Sequence, residues 1–392
     1  MTERAAASAR RVNPDKVGIL IGILTIVAVL GLPFVVLRPN RIAAGTGLSV
    51  FAALPAMQGA ALAALWIVGA LWAMKASRPA WRLAAGCAWL ATLAYALGAA
   101  ATHVVAADDM LARVSPDAGV WLLLFAWAVL VADALARLAF GPWRRLAAHV
   151  VAIAAISVPL ASGWWDGLSV MREYAVRSDD FWREAIRHVS LAGGSVAAAL
   201  VAGVPLGIAC ARIAAVRTVA MPVLNVVQTI PSIAMYGLMM APLGLLAAHV
   251  PLAAALGIRG IGVAPAVLAL FLYSLLPIAS SVVVGLGQVP PHVTEAARAM
   301  GMTRAQRLLH VDLVLALPVI LSGVRIVLVQ NIGLTAVAAL IGGGGFGTFI
   351  FQGIGQSAAD LVLLGAIPTI ALALVAAVIF EAATTLAKGR TG

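Results

Sequence analysis

The chain has 392 residues, of which 63% are hydrophobic and only 10% are charged, and its formal net charge is +11. Soluble domains are about half apolar and about a quarter charged, so this composition excludes a soluble globular protein. In a membrane protein, an excess of Lys and Arg is explained by basic cytoplasmic loops, and we expect no binding of nucleic acid. We predict an all-α polytopic membrane protein surrounded by lipid.

Apolar runs long enough to cross a bilayer, about 20 residues each, predict about ten transmembrane helices. Only helices are expected in the spans, because lipid offers no hydrogen-bond partner to backbone groups. The first run follows the basic residues Arg4, Arg10, Arg11 and Lys16, and it is longer than the core of a signal peptide. We therefore predict an uncleaved first span. The predicted spans are 17–37, 48–74, 83–105, 119–140, 147–163, 189–211, 217–246, 262–285, 313–340 and 361–384.

The distribution of basic residues predicts the orientation of these spans. With a cytoplasmic N-terminus, the predicted cytoplasmic segments hold 17 of the 26 Lys+Arg residues and the outer segments hold 8. This asymmetry favours cytoplasmic positions for both termini. The polar stretch 164–188 divides the chain, so we predict extra N-terminal helices over 1–165, to which the sequence assigns no role, and a second domain over 185–390.

The sequence lacks the motifs of several classes of enzyme. No Gly-Lys-Ser/Thr phosphate loop, no Gly-x-Ser-x-Gly elbow and no His-Glu-x-x-His motif is present. Cys87 and Cys210 do not form a Cys-x-x-Cys pair. We therefore expect no catalytic residue, no metal site and no cofactor bound by this chain, and any energy for transport must come from a partner or an ion.

The segment 288–312, between the eighth and ninth spans, predicts a short helix, a turn and a second short helix. Proline at Pro291 suits the first turn of a helix, where a missing N–H costs nothing. Gly301 is placed to end that helix in a left-handed conformation, and Thr303 with Gln306 forms a capping box for the next one. Val293, Ala296, Ala297 and Met300 are predicted to share one face.

Spacing alone leaves open whether this hairpin lies on lipid headgroups or contacts a partner. The sequence Glu295-Ala296-Ala297, with Gly301 following, resembles the cytoplasmic "EAA" loop of ABC importer permeases. The family pattern places a proline after the leucine that follows the loop. Here that position is Val314, and the next Leu-Pro is Leu317-Pro318.

Two further stretches are similar to permeases for glycine betaine, choline and related osmoprotectants. They are 228–234, which reads Gln-Thr-Ile-Pro-Ser-Ile-Ala, and 331–347, which begins Asn-Ile-Gly and contains four consecutive glycines. The resemblance implies a type I ABC importer transmembrane domain in the C-terminal half and a location in the bacterial inner membrane. It also implies partners: ATP-binding subunits that use ATP-Mg, a second permease chain in a homo- or heterodimer, and an extracytoplasmic solute-binding protein. The residues implied to couple this chain to the ATPase are Glu295, Ala296, Ala297, Gly301 and Thr303.

Several polar or helix-breaking residues are candidates for a passage or gate. Pro231 frees backbone groups that are tolerated at membrane depth where they face a cavity. An ordinary proline kink is an equal alternative. Arg325 is predicted either to pair with Asp312 or Glu381 or to act in gating. The glycines at 342–345 predict a gate, a contact with the binding protein, or a plain flexible loop. The candidates are Gln228, Thr229, Pro231, Ser232, Arg325, Asn331, Gly343 and Gly344.

The favoured hypothesis is a permease subunit of an ATP-driven importer for osmoprotectants such as glycine betaine or choline. One alternative is the same kind of importer for methionine or another amino acid. A second is an ion-coupled secondary transporter, which would show inverted repeats with paired broken helices. For the first half alone, a scaffold or sensor role also stays open.

Overall fold

The computed structural model describes residues 15–40, 43–75, 78–106, 109 and 111–391. The chain folds as two compact units, Met1–Arg172 and Glu173–Gly392. Arg4, Arg10 and Arg11, on which the predicted orientation of the first span partly depends, lie outside the described residues.

Apolar helices make up most of the first unit. Leu54 adopts an extended backbone before Pro55, as residues that precede proline commonly do, and this divides the predicted span 48–74 into two helices. The boundary between the two units falls within α7 (Ser169–Val176). The helices before it are α1 (Lys16–Gly31), α2 (Val50–Ala53), α3 (Ala56–Ala73), α4 (Pro79–Val104), α5 (Ala118–Leu138) and α6 (Pro142–Ala161).

A small antiparallel sheet in the first unit was not predicted. Its strands are β1 (Val35–Arg38), β2 (Thr46–Leu48) and β3 (Arg113–Pro116), in the order β2-β1-β3. The prediction that the first span continues to residue 37 is therefore wrong, because α1 ends at Gly31. Proline at Pro33 does not continue a helix, and the β-branched residues after it favour an extended chain.

The core of the first unit combines packed aromatic rings with a buried cation. Trp66 packs edge-on against Trp127, with ring centroids 5.4 Å apart. Arg82 of α4 is 0% exposed. It forms ion pairs with Asp15, whose side chain caps α1, and with Asp133 of α5, the latter at 3.4 Å. These charges tie three helices together, since a buried guanidinium is stable only when its charge is paired.

The second unit is a bundle of longer helices. A 3-10 turn over Ala339–Ile341 and a π-helical turn over Leu308–Asp312 extend the helices next to them. The helices are α8 (Ser178–Arg212), α9 (Ala214–Thr229), α10 (Ser232–His249), α11 (Pro251–Ala255), α12 (Val263–Gly287), α13 (Pro291–Ala299), α14 (Arg304–Arg307), α15 (Leu313–Ala338), α16 (Gly347–Gly355) and α17 (Ala359–Thr391).

Helices α8, α12 and α15 form the centre of this bundle, where small residues let the backbones approach closely. A Cβ added at Gly207 would lie 2.6 Å from the Cβ of Val282 and 2.8 Å from the carbonyl oxygen of Ala279. The same helices carry the polar side chains described in the next section.

Nine helices among the described residues are long and apolar enough to cross a membrane, and α1 is a shorter apolar helix of 16 residues. The prediction of a polytopic helical membrane protein with about ten spans is confirmed at this level. Two predicted spans differ from the observed helices: the span 189–211 is part of a 35-residue helix, and the span 217–246 is broken into two helices at Pro231.

Candidate functional site

The segment 288–312, which we call the coupling-loop segment after the family loop that it resembles, has the predicted local structure. Helix α13 begins at Pro291, and Gly301 follows it with φ = +78°. The Gly301 N–H donates to the carbonyl oxygen of Arg298 at 2.9 Å, which closes the turn. Thr303 and Gln306 form the capping box at the start of α14. The helix, the turn and the second helix are therefore confirmed, because each depends on residues only a few positions apart.

Helix α13 has an inner face and an outer face. Ala297 is buried and Thr294 is half-buried, whereas Glu295 and Ala296 are exposed. Met300 is 72% exposed. The predicted apolar face is therefore divided: Ala297 packs inward, while Ala296 and Met300 remain on the surface. The outer face offers a carboxylate beside a small side chain, which lets another backbone approach closely.

An ion triad that sequence reasoning missed anchors this segment to α8. Asp312, at the end of the π-helical turn, is 4% exposed. One of its carboxylate oxygens, Oδ2, accepts from Nη2 of Arg212 at 2.7 Å and from Nε of Arg307 at 3.3 Å. The suggested pairing of Arg325 with Asp312 is therefore wrong. Arg307 and Asp312 are five residues apart, a spacing that pairs in a π-helical turn and not in an α-helix.

Arg325 of α15 pairs instead with Glu381 of α17, the other predicted partner. The distance from Nη1 of Arg325 to Oε2 of Glu381 is 3.4 Å, and the two side chains are 39% and 38% exposed. This contact connects two spans, as expected for a charge within an apolar helix. It supports the structural interpretation of Arg325 and leaves its role in gating as a prediction.

The break at Pro231 is stabilised by groups from α12. The hydroxyl of Tyr273 donates to the carbonyl oxygen of Ile230, the last residue before the proline. The side-chain amide of Gln228 donates to the carbonyl oxygen of Tyr273 at 3.5 Å. Thr229 bonds to its own helix through the carbonyl oxygen of Val226 at 2.7 Å. These contacts fit a proline kink held by a neighbouring helix.

Asn331 lies fully buried where α8, α12 and α15 meet. Its side-chain nitrogen donates to the hydroxyl oxygens of Ser195 at 2.9 Å and Ser274 at 2.8 Å. All three side chains are 0% exposed. In this conformation Asn331 connects helices, because interhelical polar contacts replace the hydrogen bonds that lipid cannot provide.

The glycine segment at 342–345 is not a plain surface loop, because three of its glycines are buried. Gly343 lies against Ala338 of α15 and Ala266 of α12, whereas Gly344 and Gly345 lie against α8. Oε2 of Glu184 accepts from the Gly345 N–H at 2.5 Å, and Nδ1 of His188 accepts from the Phe346 N–H at 3.2 Å. Nε2 of His188 therefore carries the proton and donates to the carbonyl oxygen of Ile332 at 3.0 Å. Gly344 and Gly345 have φ of +81° and +85°, which a residue with a Cβ rarely adopts.

The predicted site residues thus lie at separate places within the second unit. Gly344 lies beside the N-terminal part of α8, Gly343 lies between α15 and α12, and the Asn331 cluster lies at the centre of the bundle. The coupling-loop segment is joined to the last residue of α8. Among the described residues, no group of three or more His, Cys, Asp or Glu side chains is placed to hold a metal ion.

Two family models match the chain. The model described as "Binding-protein-dependent transport system inner membrane component" matches residues 203–388. The model described as "ABC transporter permease YehY, N-terminal domain" matches residues 15–171.

Individual relatives match about half of the chain. The osmoprotectant import permease protein OsmW of Salmonella typhimurium is 42% identical over 189 residues, 48% of this chain and 83% of that protein. The choline transport system permease protein OpuBD of Bacillus subtilis is 36% identical over 57% of this chain and 94% of that protein. A solved structure of the MetNI methionine ABC transporter, inward facing, covers 53% of this chain and 95% of its own, with 23% identity and a TM-score of 0.46.

The extent of the match to OsmW and OpuBD settles the family, since each relative is more than 30% identical over most of its own length. The chain belongs to the inner-membrane permease components of binding-protein-dependent ABC importers.

Proposed function

We propose that this chain forms the passage of an ATP-driven importer for an osmoprotectant of the quaternary ammonium class, such as glycine betaine or choline. The names of the relatives, which are osmoprotectant and choline permeases, support this class of solute. ATP and Mg²⁺ are used in this family by a separate ATPase subunit, so the permease chain itself hydrolyses nothing.

The observation that carries the proposal is the exposed outer face of α13, held on a closed turn. Glu295 and Ala296 are exposed there, and Ala297 packs inward and fixes the rotation of the helix. Gly301 and Thr303 fix the direction in which the chain leaves it. We assign these five residues to the contact with the ATPase, in which Glu295 supplies charge and Ala296 permits close approach.

The ion triad gives this contact a route into the membrane. Movement of the coupling-loop segment displaces Asp312, its last residue. Asp312 forms an ion pair with Arg212 at the end of α8, and α15 begins at the next residue. The Asp312 carboxylate is buried, so separating it from Arg212 would remove one of the two guanidinium groups that compensate its charge. The segment and α8 therefore move as one body between the inward-open and outward-open states.

For the passage, we assign different roles to the predicted residues. The kink at Pro231, with Gln228, Thr229 and Ser232 next to it, is assigned to the wall of the passage. Asn331 and Arg325 are assigned to holding the helices around it, in agreement with their contacts.

Gly343 and Gly344 are assigned to a gate, and Glu184 and His188 hold the next two residues of that segment, Gly345 and Phe346, through their N–H groups. The complex that we propose contains two permease chains, two ATPase subunits and an extracytoplasmic binding protein in a bacterial inner membrane, with both termini of this chain cytoplasmic.

Uptake into proteoliposomes tests the proposal. Vesicles containing this permease with its ATPase and binding protein are supplied with radiolabelled glycine betaine, choline or methionine, with and without internal ATP. We expect ATP-dependent uptake of a quaternary ammonium solute that persists in the presence of an ionophore. Uptake of methionine alone would refute the class of solute, and uptake without the ATPase that collapses with an ionophore would refute the ABC mechanism.

A further inference from the structure

A cavity of about 280 Å³ lies between the coupling-loop segment and the ends of two membrane helices. Its polar lining comes from Arg212 at the end of α8, Arg217 in α9, and Thr294, Arg307 and Asp312 of the coupling-loop segment. Leu286 and Gly287 at the end of α12 contribute apolar wall. Since α8 and α12 both end here, the cavity lies at the level where membrane helices give way to headgroups.

The charges around the cavity are unbalanced. Asp312 is its one acidic lining residue, and the Oδ2 atom of that carboxylate is already shared by Arg212 and Arg307. Arg217 is exposed, and no ion pair joins it to any residue within the described part of the chain. Three guanidinium groups facing one carboxylate leave the cavity with an excess of positive charge.

The second carboxylate oxygen of Asp312, Oδ1, indicates what a ligand of this cavity would contain besides a negative charge. Oδ1 is buried and has no hydrogen-bond partner among the residues that the structure describes. A buried carboxylate oxygen without a donor is costly, so a ligand that brings a hydroxyl group to this position would be stabilised. The ligand should therefore combine an anionic group for the arginines with a hydroxyl for Oδ1.

We propose that this cavity binds a phosphoryl group that carries a neighbouring hydroxyl, and that Arg217 supplies the unpaired charge that holds it. Guanidinium groups bind phosphate through paired N–H donors. Two ligands combine a phosphoryl group with a hydroxyl in this way: the headgroup of phosphatidylglycerol and free hydrogen phosphate. The cavity is smaller than typical pockets for drug-sized ligands, so a small group is expected. The position of the cavity at the ends of α8 and α12 favours the lipid headgroup.

Occupancy of the cavity would affect the coupling-loop segment directly. Thr294 lies on the inner face of α13, on the side away from Glu295 and Ala296. A phosphoryl group between Arg217 and Arg307 would connect α9 to α14, in addition to the existing contact between Arg212 and Asp312. The ligand and a partner on the outer face of α13 would therefore bind at the same time, on opposite sides of one helix.

The test compares lipid and phosphate binding to the full chain in detergent. Native mass spectrometry measures the retention of added phosphatidylglycerol and phosphatidylcholine, and equilibrium dialysis measures the binding of radiolabelled inorganic phosphate. The variants are Arg217→Gln, Arg217→Lys and the control Arg144→Gln, which removes an exposed arginine of α6 outside the cavity. Because Arg217 is exposed and forms no ion pair with the described residues, its variants should elute and melt as the wild type does.

We expect Arg217→Gln to weaken binding of the phosphoryl ligand by about tenfold or more, the usual effect of losing a charged hydrogen bond. Arg217→Lys should retain part of the affinity and Arg144→Gln all of it. Loss of phosphatidylglycerol alone would identify a headgroup site, and loss of phosphate binding alone would identify a free-anion site. Equal binding by wild type and Arg217→Gln would overturn the proposal, as would an equal loss in Arg144→Gln or equal retention of phosphatidylcholine.

Discussion

Replacement of Gly301 by valine tests the turn in the coupling-loop segment without creating a steric clash. A Cβ at Gly301 would meet no atom within 4 Å, so the cost of the substitution is conformational. At φ = +78°, a residue with a Cβ costs about 1–2 kcal/mol, and a β-branched side chain is at least as unfavourable. This free energy changes the population of the closed turn by a factor of about 5–30.

The chain offers a matched control at Gly257. Its φ is +76°, and a Cβ there would also meet no atom within 4 Å, but it lies after α11. Gly257→Val therefore has the same backbone strain at a distance from the coupling-loop segment. Gly301→Asn is the tolerant substitution, because Asn adopts the left-handed region more readily than other residues.

The assay measures co-purification of the ATPase and the number of solute molecules transported per ATP hydrolysed. We expect Gly301→Val to reduce both, while Gly257→Val and Gly301→Asn stay close to the wild type and all variants insert into the membrane. If Gly301→Val and Gly257→Val behave alike in transport, the turn does not carry coupling, and the assignment of this segment to the ATPase contact is refuted.

Three further substitutions, with Asp180→Ala as a control, test other contacts. Glu295→Ala should weaken ATPase association without lowering the melting temperature, because this side chain is exposed; unchanged association and transport would place Glu295 outside the interface. Asp312→Ala leaves the buried Arg307 without its counter-charge and should cost about 3 kcal/mol of unfolding free energy in a denaturant titration. The exposed pair of Asp180 with Arg183 provides a contrast, since Asp180→Ala should cost less than about 1 kcal/mol, and equal losses would contradict the role of burial. Arg82→Leu should destabilise the first unit by about 3–5 kcal/mol, measured by thermal unfolding, and an unchanged melting point would show that its ion pairs are not stabilising.

Local features of the second unit could be predicted from sequence because they depend on neighbouring residues. The capping box needs Thr303 and Gln306 three positions apart, and the turn needs a residue at position 301 that tolerates a positive φ, as Gly301 does. The sequence offers two carboxylates, Asp312 and Glu381, as partners of Arg325, and only the packing of α15 against α17 selects Glu381. The capping box and the turn follow from residue types a few positions apart, whereas the partner of Arg325 depends on which helices become neighbours.

Contacts between distant segments were beyond the reach of sequence patterns. Arg212 and Asp312 are 100 residues apart, and no periodicity connects them. The glycines after α15 indicate backbone freedom, but the burial of Gly344 and Gly345 depends on Glu184 and His188 of another helix. The strands of the first unit are only three or four residues long, too short for an alternating pattern to stand out from the apolar runs around them.

Helix α8 reaches from the glycine segment to the ion triad as one uninterrupted element, and Pro205 lies within it without ending it. At 1.5 Å per residue, Glu184 and Arg212 are separated by about 42 Å along its axis, more than the hydrocarbon thickness of a bilayer. Helix α8 therefore makes contacts through charged side chains at both ends of the bundle, through Glu184 at one end and Arg212 at the other. A tilt of α8 at one end would move its other end at the same time, because the helix is continuous, and would require no series of side-chain rearrangements in between.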